Sequence, residues 1–543
     1  MSQIKGAVEC DQGRATLNPD DRLRLSAGLL LGLPILFWFE AVKQTESLTK
    51  PKWKSAFELL KHTHEKPILL GAALGGLTIA ILAIWLIHHL GKSEFAGAPF
   101  SRFLRGTRIG SAGELSRNSK ERGTRQITVA GIPMPRRIEN LHMLVAGSTG
   151  AGKSVLIREL VYAALLRGDR MIVADPNGEM MAKFFREGDV ILNPYDARTA
   201  GWTFFNEIRN PAFDFKRFAL SIVPRGKNAE AEEWASYARL LLGETAKKLA
   251  LTQQSPSLAE LNHWLTIRPP SELKAFLTGT AAESLFVGAE KALASARFVL
   301  SNKLPEHVAM PPGDFSLRAW LSDSTAGNLW LTWREDQGEA LKPLLSAWVD
   351  ILCTSILSLP PVPAKPRDRY FRNIFRKPVR TENDRRIFLI IDELASLDKL
   401  GSLEAALTKG RKHGLCVACG LLSVSQLDDI YGKDEAQTLR ACFRSLAVLG
   451  GAKTDPETCE QMSKALGEHE VEREDCSRTT GHHNSSNRKT VHSRERVVMP
   501  AEIAALPDLT GYVAFAGSSP IAKVELKIMR FKDRVPAFVE NHI

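Results

Sequence analysis

The stretch Gly147-Ser148-Thr149-Gly150-Ala151-Gly152-Lys153-Ser154 fits the spacing G-x-x-x-x-G-K-[ST]. Its residue types suit one task, gripping a chain of phosphates. Gly147, Gly150 and Gly152 let the backbone turn tightly and bring bare N–H groups up to phosphate oxygens. The Lys153 ammonium can reach the β- and γ-phosphates, and the Ser154 hydroxyl can ligate magnesium. A second stretch, Ile387-Phe388-Leu389-Ile390-Ile391-Asp392-Glu393, is an apolar run ending in two acids. Alone it also describes a plain core strand. Paired with the glycine-rich loop it reads as a Walker B strand: Asp392 holds magnesium and Glu393 polarises water as general base. The expected ligands are therefore ATP and Mg2+, with the acids on a strand neighbouring the loop.

Further candidates carry two readings each. Arg411, in Gly410-Arg411-Lys412-His413-Gly414, is either an arginine finger for a neighbouring subunit or part of a solvated turn. Asp175 and Glu179 either assist the magnesium site or cap a helix. Ser423 and Gln426 either sense the γ-phosphate or cap the next helix. Cys416 and Cys419 form a C-x-x-C inside an apolar strand, where two small core residues are the expectation.

Elements must position these groups. Met143–Ala146 reads as a buried strand and Val155–Arg167 as a helix whose positive N-terminus meets the phosphates. Further strands are expected at Arg125–Val129, Met171–Ala174, Asn328–Trp333 and Leu415–Leu421, with a closing hairpin of Gly511–Ala516 and Ala522–Ile528. Between the two motifs lies far more chain than a nucleotide core requires. Phe213–Val223, Ala229–Leu251, Ser257–Leu265, Ser271–Leu277 and Ala289–Asn302 repeat apolar residues at three- and four-residue spacing, so residues 210–312 read as an all-α domain. Leu341–Leu357 reads as one more helix. The run from Lys365 to Arg386 is basic and proline-punctuated, an exposed loop or a contact for nucleic acid. Arg473–Arg496, polar and poor in apolar residues, reads as a flexible loop.

The 543 residues are too many for one core. A net charge of +11 suits a polyanionic partner, nucleic acid or anionic lipid. Ahead of the core, Pro67–Ile87 is uncharged and long enough to cross a bilayer. Leu25–Val42, interrupted by Pro34, is a weaker span, and the two together suggest a membrane hairpin. Gly71, Gly75 and Gly76 would allow close helix packing. Residues 1–96 thus form the anchor, and 97–209 with 313–543 the nucleotide-binding domain. A site that uses ATP places the large portion in the cytoplasm.

The whole pattern resembles the type IV secretion coupling proteins, the TraD/TrwB-like conjugation ATPases. The resemblance rests on Gly147–Ser154, Asp175–Glu179, Asn193–Arg198, Gly201–Glu207, Ile390–Glu393, Gly410–Leu415, Ser425–Gly432 and Val498–Ile503. It implies an α/β fold: a RecA-like P-loop ATPase core, an inserted all-α domain and an N-terminal transmembrane helical hairpin. It further implies nucleotide binding by Lys153 and Ser154, Walker B roles for Asp392 and Glu393, and a trans role for Arg411. A homo-hexamer on the bacterial inner membrane, binding single-stranded DNA non-specifically, a relaxase and the secretion channel subunits, would follow. One departure is Leu422, where the family usually carries a hydrogen-bonding Gln. Two other classes stay open: a double-strand DNA translocase of the FtsK kind, and a substrate-docking receptor with structural ATP binding.

Overall fold

A computed structural model describes residues 19–46, 63–90, 102–286, 290–362, 385–479, 485–517 and 520–541. They divide into two units, Met1–Gly106 with Glu468–Glu495, and Thr107–Gly467 with Arg496–Ile543.

The first unit holds two long helices, α1 (Pro19–Glu46) and α2 (Pro67–Leu90). Leu25–Gln44 and Pro67–Leu86 within them are long and apolar enough to cross a membrane. Pro34 lies inside α1, where it removes one backbone donor from the helix ladder. Gly76 of α2 packs there: a Cβ on it would stand 2.8 Å from the Leu33 carbonyl oxygen and from the Pro34 Cα. Gly71 and Gly75 face open space, so one of the three expected packing glycines does that work. The Trp38 indole N–H donates to the Thr63 hydroxyl at 3.0 Å. The unit also contains a three-stranded sheet of Arg102–Gly106, Glu468–Thr479 and Ser485–Arg496. This corrects the flexible loop expected at Arg473–Arg496. Backbone pairing and the ion pairs Arg473–Glu495, Arg494–Glu468 and Arg105–Glu470 hold these strands, which therefore lack the apolar alternation that marks a strand in sequence. His482 and His483 lie outside the described residues, as does the basic run from Lys365 to Arg380.

The second unit is built on a ten-stranded sheet: β1 (Ile109–Gly110), β2 (Met143–Ala146), β3 (Arg170–Pro176), β4 (Val190–Leu192), β5 (Leu329–Trp333), β6 (Ile387–Ile391), β7 (Leu415–Leu421), β8 (Ser445–Leu449), β9 (Thr510–Ala514) and β10 (Ile521–Glu525). Their order is β1-β10-β9-β8-β2-β7-β6-β3-β5-β4. The run from β8 to β4 is parallel throughout, and β9 is antiparallel to both its neighbours. Strands β2, β5, β6 and β7 are buried along their whole length, as expected of a parallel sheet covered on both faces. Thr128–Val129 pairs only with Ile132–Pro133, so the strand expected at Arg125–Val129 does not join this sheet. Pro133 and Pro135 follow closely and limit backbone pairing there.

Helix α3 (Lys153–Arg167) packs Leu156, Ile157, Leu160 and Val161 onto one sheet face. Between Asp214 and Val308 the regular elements of the described residues are all helices, beginning with α4 (Asp214–Ile222) and including Ala229–Thr252 and Glu290–Lys303. It returns through β5 to α5 (Gly338–Ile356). Downstream of β6 come α6 (Leu403–Lys409), α7 (Val424–Tyr431) and α8 (Pro456–Leu466).

His307, in the short helix Pro305–Val308, is fully buried. Burial holds its imidazole neutral and pushes its pKa down to about 3, and neither ring nitrogen has a hydrogen-bond partner among the described residues. In the unfolded chain the same ring protonates near pH 6.5. The unfolded state therefore binds the extra proton first, and stability is lost as pH falls from about 6.5 towards 3, at roughly 1.4 kcal/mol per pH unit. Replacing His307 with Gln should flatten this acid limb while leaving the unfolding free energy at neutral pH within about 2 kcal/mol of wild type. Urea unfolding of the detergent-solubilised chain across pH 4–8 checks it.

Candidate nucleotide-binding site

The glycine-rich loop leaves the C-terminal end of β2. Gly147 N–H donates to the Leu421 carbonyl of β7 at 3.1 Å, and Ser148 N–H to the Gly450 carbonyl beyond β8 at 2.8 Å. The Ser148 hydroxyl donates to the same carbonyl at 2.8 Å. Gly150 and Gly152 have φ of 81° and 108°, backbone that side chains disfavour. From the far side, Leu509 N–H donates to the Ala151 carbonyl at 3.1 Å, and Leu509 and Leu526 close over Gly152. The loop is thus fixed by three strands and the closing hairpin. Thr149, by contrast, is exposed at its tip.

Lys153 opens α3 and donates to the Gly147 and Ser148 carbonyls at 2.8 and 3.3 Å. Burial lowers its pKa, while the Glu393 and Asp392 carboxylates pull it back up. The Ser154 hydroxyl donates to Asp392 Oδ2 at 3.2 Å across 238 positions of sequence. Asp392 Oδ1 and Glu393 Oε1 are buried and accept no hydrogen bond from any described residue. Burial raises the pKa of both carboxyls; Ser154 and Lys153 oppose this at Asp392, and Lys153 and the Leu422 N–H at Glu393. A hydroxyl beside two acids with unanswered buried oxygens and an ammonium nearby is a donor set that fits a magnesium-bound triphosphate.

The acid pair is not on the strand next to the loop: β7 lies between β2 and β6. What makes this workable is Gly420 on β7. In the parallel register Cys419 faces Ile391, which brings Gly420 level with Asp392. A Cβ on Gly420 would lie 1.8 Å from the Asp392 carbonyl oxygen. Gly420 was missed in sequence; the one signal was a glycine near the end of an otherwise side-chain-filled strand.

Other candidates resolve as follows. Asp175 on β3 accepts from the Met180 and Met181 N–H groups at 3.2 and 2.7 Å, so it caps the helix Glu179–Phe184. Burial pushes its pKa up to about 7 against those two hydrogen bonds. Glu179 pairs with Arg158 of α3 at 3.3 Å. Ser423 caps α7 by accepting from Ser425 N–H at 3.3 Å, and Thr458 of α8 accepts from Val424 N–H at 2.9 Å. The Gln426 Oε1 is buried without a hydrogen-bond partner among the described residues. Leu422 lines a cavity of about 490 Å³ beside Gly147 and Ser148, and its main-chain N–H lowers the Glu393 pKa against burial. Cys416 and Cys419 are buried free thiols that burial keeps protonated. Arg411 is exposed in a short turn, Gly410–His413, that precedes β7. The loop follows the other end of the parallel pair, so the length of β7, about 20 Å, separates Arg411 from the phosphate loop of its own chain.

A glycine-rich loop and an acid pair at one edge of a mainly parallel sheet, separated by one strand, define a P-loop nucleotide-binding protein with a RecA-like core. The family model for the type IV secretion-system coupling protein DNA-binding domain matches residues 126–527. This chain belongs to that family. Among solved structures it is 62% identical to the bacterial conjugative coupling protein TrwBdeltaN70 in an unbound form, covering 83% of this chain and 99% of that one at a TM-score of 0.75. The plasmid coupling protein TrwB in complex with ADP and Mg2+ matches at 62% identity, 83% and 100% coverage and a TM-score of 0.74. Coupling protein TraD of Escherichia coli (strain K12) is 29% identical over 77% of this chain, which spans 57% of the length of that relative.

Replacing Gly420 with Ala should force β6 and β7 apart at Asp392 and break the Ser154–Asp392 contact. The expected outcome is a destabilisation of about 2–4 kcal/mol and a nucleotide affinity at least about tenfold weaker, corresponding to roughly 1.4 kcal/mol. Thermal melting and titration with a fluorescent ATP analogue read the two effects separately.

Proposed function

We propose that this protein is an inner-membrane, ATP-dependent DNA motor that couples a relaxase–DNA complex to a type IV secretion channel used in conjugation. The observation that carries the reading is the convergence of Lys153, Ser154, Asp392 and Glu393 at one sheet edge. A relative at 62% identity has been solved with ADP and Mg2+, and with the ATP analogue ADPNP. Gly147, Ser148, Thr149, Gly150, Ala151 and Gly152 wrap the phosphates with backbone amides, and Lys153 neutralises the β- and γ-oxygens. Ser154 and Asp392 hold magnesium, which when bound offsets the negative charge of the phosphates. Glu393, whose pKa burial raises against the pull of Lys153, orients water and takes its proton. Arg411 serves the site of the next subunit in a homo-hexamer.

In this reading residues 1–96 anchor the chain through two membrane spans, with both termini and the ATPase portion in the cytoplasm. Residues 97–209 and 313–543 form the nucleotide-binding domain and 210–312 an all-α domain. The excess of Lys and Arg favours phosphate contacts with single-stranded DNA, whose affinity then falls steeply with salt.

Lys153→Thr in the full chain should abolish ATP turnover and conjugative transfer together. Single-stranded DNA should stimulate turnover of the wild type at low salt and lose that effect as salt rises. Retained hydrolysis in Lys153→Thr refutes the site assignment. Turnover indifferent to DNA at every salt concentration refutes the motor and leaves a docking role.

A further inference from the structure

Arg411 is exposed on a four-residue turn, and nothing in that turn itself fixes where its guanidinium points. The turn continues directly from α6, a helix of seven residues too short to be stable alone. Both ends of α6 are bound by side chains from elsewhere. At its N-terminus, Ser402 N–H donates to Asp350 Oδ1 at 2.7 Å. Asp350 belongs to α5 and is only 4% exposed. Its second oxygen accepts from the Ser221 hydroxyl of α4 at 2.5 Å. A buried carboxylate is well placed at a helix N-terminus, where unpaired N–H groups and the helix dipole favour it. The segment leading into α6 is bound from the same side: Asp398 N–H donates to the Ser346 hydroxyl of α5 at 2.7 Å, and the Asp398 carboxylate pairs with Lys303.

At the other end, His142 meets the last turn of α6. Val417 N–H of β7 donates to His142 Nδ1 at 3.1 Å. That nitrogen is therefore the acceptor, the proton sits on Nε2, and Nε2–H donates to the Leu407 carbonyl at 2.8 Å. His142 is 1% exposed and immediately precedes β2, the strand that carries the phosphate loop. Its φ of 62° is a backbone conformation that a non-glycine residue adopts only at a cost. The ring bonds, with the Phe443 ring edge-on beside it, hold the residue there.

We propose that Asp350 and His142 are positioning residues for Arg411: they clamp the two ends of α6 and so aim the arginine at the neighbouring subunit's nucleotide. Asp350 ties that aim to the helical segment through Ser221, and His142 ties it to the strand bearing the chain's own phosphate loop. The inference rests on the reading of Arg411 as a trans-acting residue.

A double-mutant cycle on the full chain in detergent tests it. Arg411→Ala should lower kcat about a hundredfold or more, with nucleotide affinity within about twofold of wild type. Asp350→Ala and His142→Gln should each lower kcat about tenfold at unchanged affinity, and Asp350→Asn, which retains an acceptor for Ser402, about threefold. In the Arg411→Ala background each of these losses should vanish. Ser221→Ala, the mildest change, covers the case in which Asp350→Ala does not fold; it should lower kcat about twofold in the wild type and not at all in Arg411→Ala. Losses that multiply with that of Arg411→Ala overturn the proposal, as do clamp variants with wild-type kcat. An Arg411→Ala protein with wild-type kcat overturns the trans reading itself, a result distinct from the other two.

Discussion

A single hydrogen bond, Ser154 Oγ to Asp392 Oδ2 across the top of an intervening strand, expresses the constraint on which the site depends. Two parallel strands, β2 and β6, must end at the same height with β7 between them. Parallel register does most of this. Leu421 of β7 pairs with Ala146, and Cys419 pairs with Ile391, so the loop and the acid pair emerge within two residues of one another along β7. Gly420 does the rest, because any side chain there would collide with the Asp392 backbone. The chemistry then follows from burial: carboxyls withdrawn from water rise in pKa, opposed by Lys153 at both and by Ser154 at Asp392.

The opposite edge of the sheet explains why these strands hold their height. Arg167, the last residue of α3, forms a two-pronged pair with Glu139, at 2.5 and 2.9 Å, and bonds Asp169 at 2.5 Å. Glu139 leads into β2, Asp169 into β3, and Arg386, 3.5 Å from Glu139, into β6. All are nearly inaccessible to water, and burial raises the Glu139 pKa against the pull of Arg167 and Arg386. Removing one member would strand an opposite charge in the interior, a cost of about 3–5 kcal/mol. The helix that follows the phosphate loop is therefore anchored by its C-terminal arginine to the strand before it, through Glu139, and to the strand after it, through Asp169, while Arg386 ties Glu139 to the strand carrying the acids. Arg167 also answers the negative end of that helix.

The parts legible in sequence were those whose signal is local. The glycine-rich loop, the apolar strands that end at Ala146, Ile391 and Leu421, and the long amphipathic helices each declare themselves within a dozen residues. What was illegible depends on which strand lies beside which. Gly420 acquires its meaning only once β7 stands between β2 and β6. Asp175 read equally well as a metal partner or a cap, because both place an acid at a strand end; the N–H groups of Met180 and Met181 decide for the cap. The sheet containing Glu468–Thr479 and Ser485–Arg496 escaped because polar strands held by backbone pairing and ion pairs have no hydrophobic period to read. Leu422 illustrates the converse. Its side chain departs from what the family resemblance leads one to expect, yet its N–H, which any residue but proline would supply, still favours the charged form of Glu393. A leucine there offers no side-chain hydrogen bond and leaves the main-chain N–H in place.

The same sheet that assembles the site also excludes one residue from it. Because β2 and β7 are parallel, whatever precedes β7 lies at the edge opposite the phosphate loop. Arg411 precedes it, and no side-chain movement spans the roughly 20 Å length of a seven-residue strand. Its turn has little freedom to travel either: Gly414 has φ of 86°, and a Cβ there would meet the Arg385 carbonyl oxygen at 2.4 Å. The main chain on one side of the arginine is thus fitted against the residues that begin β6, and on the other it continues into a helix bound at both ends. An arginine so placed can act on a nucleotide only if a second chain brings its loop to this edge. The topology of one chain therefore makes assembly a condition of any catalytic role for Arg411.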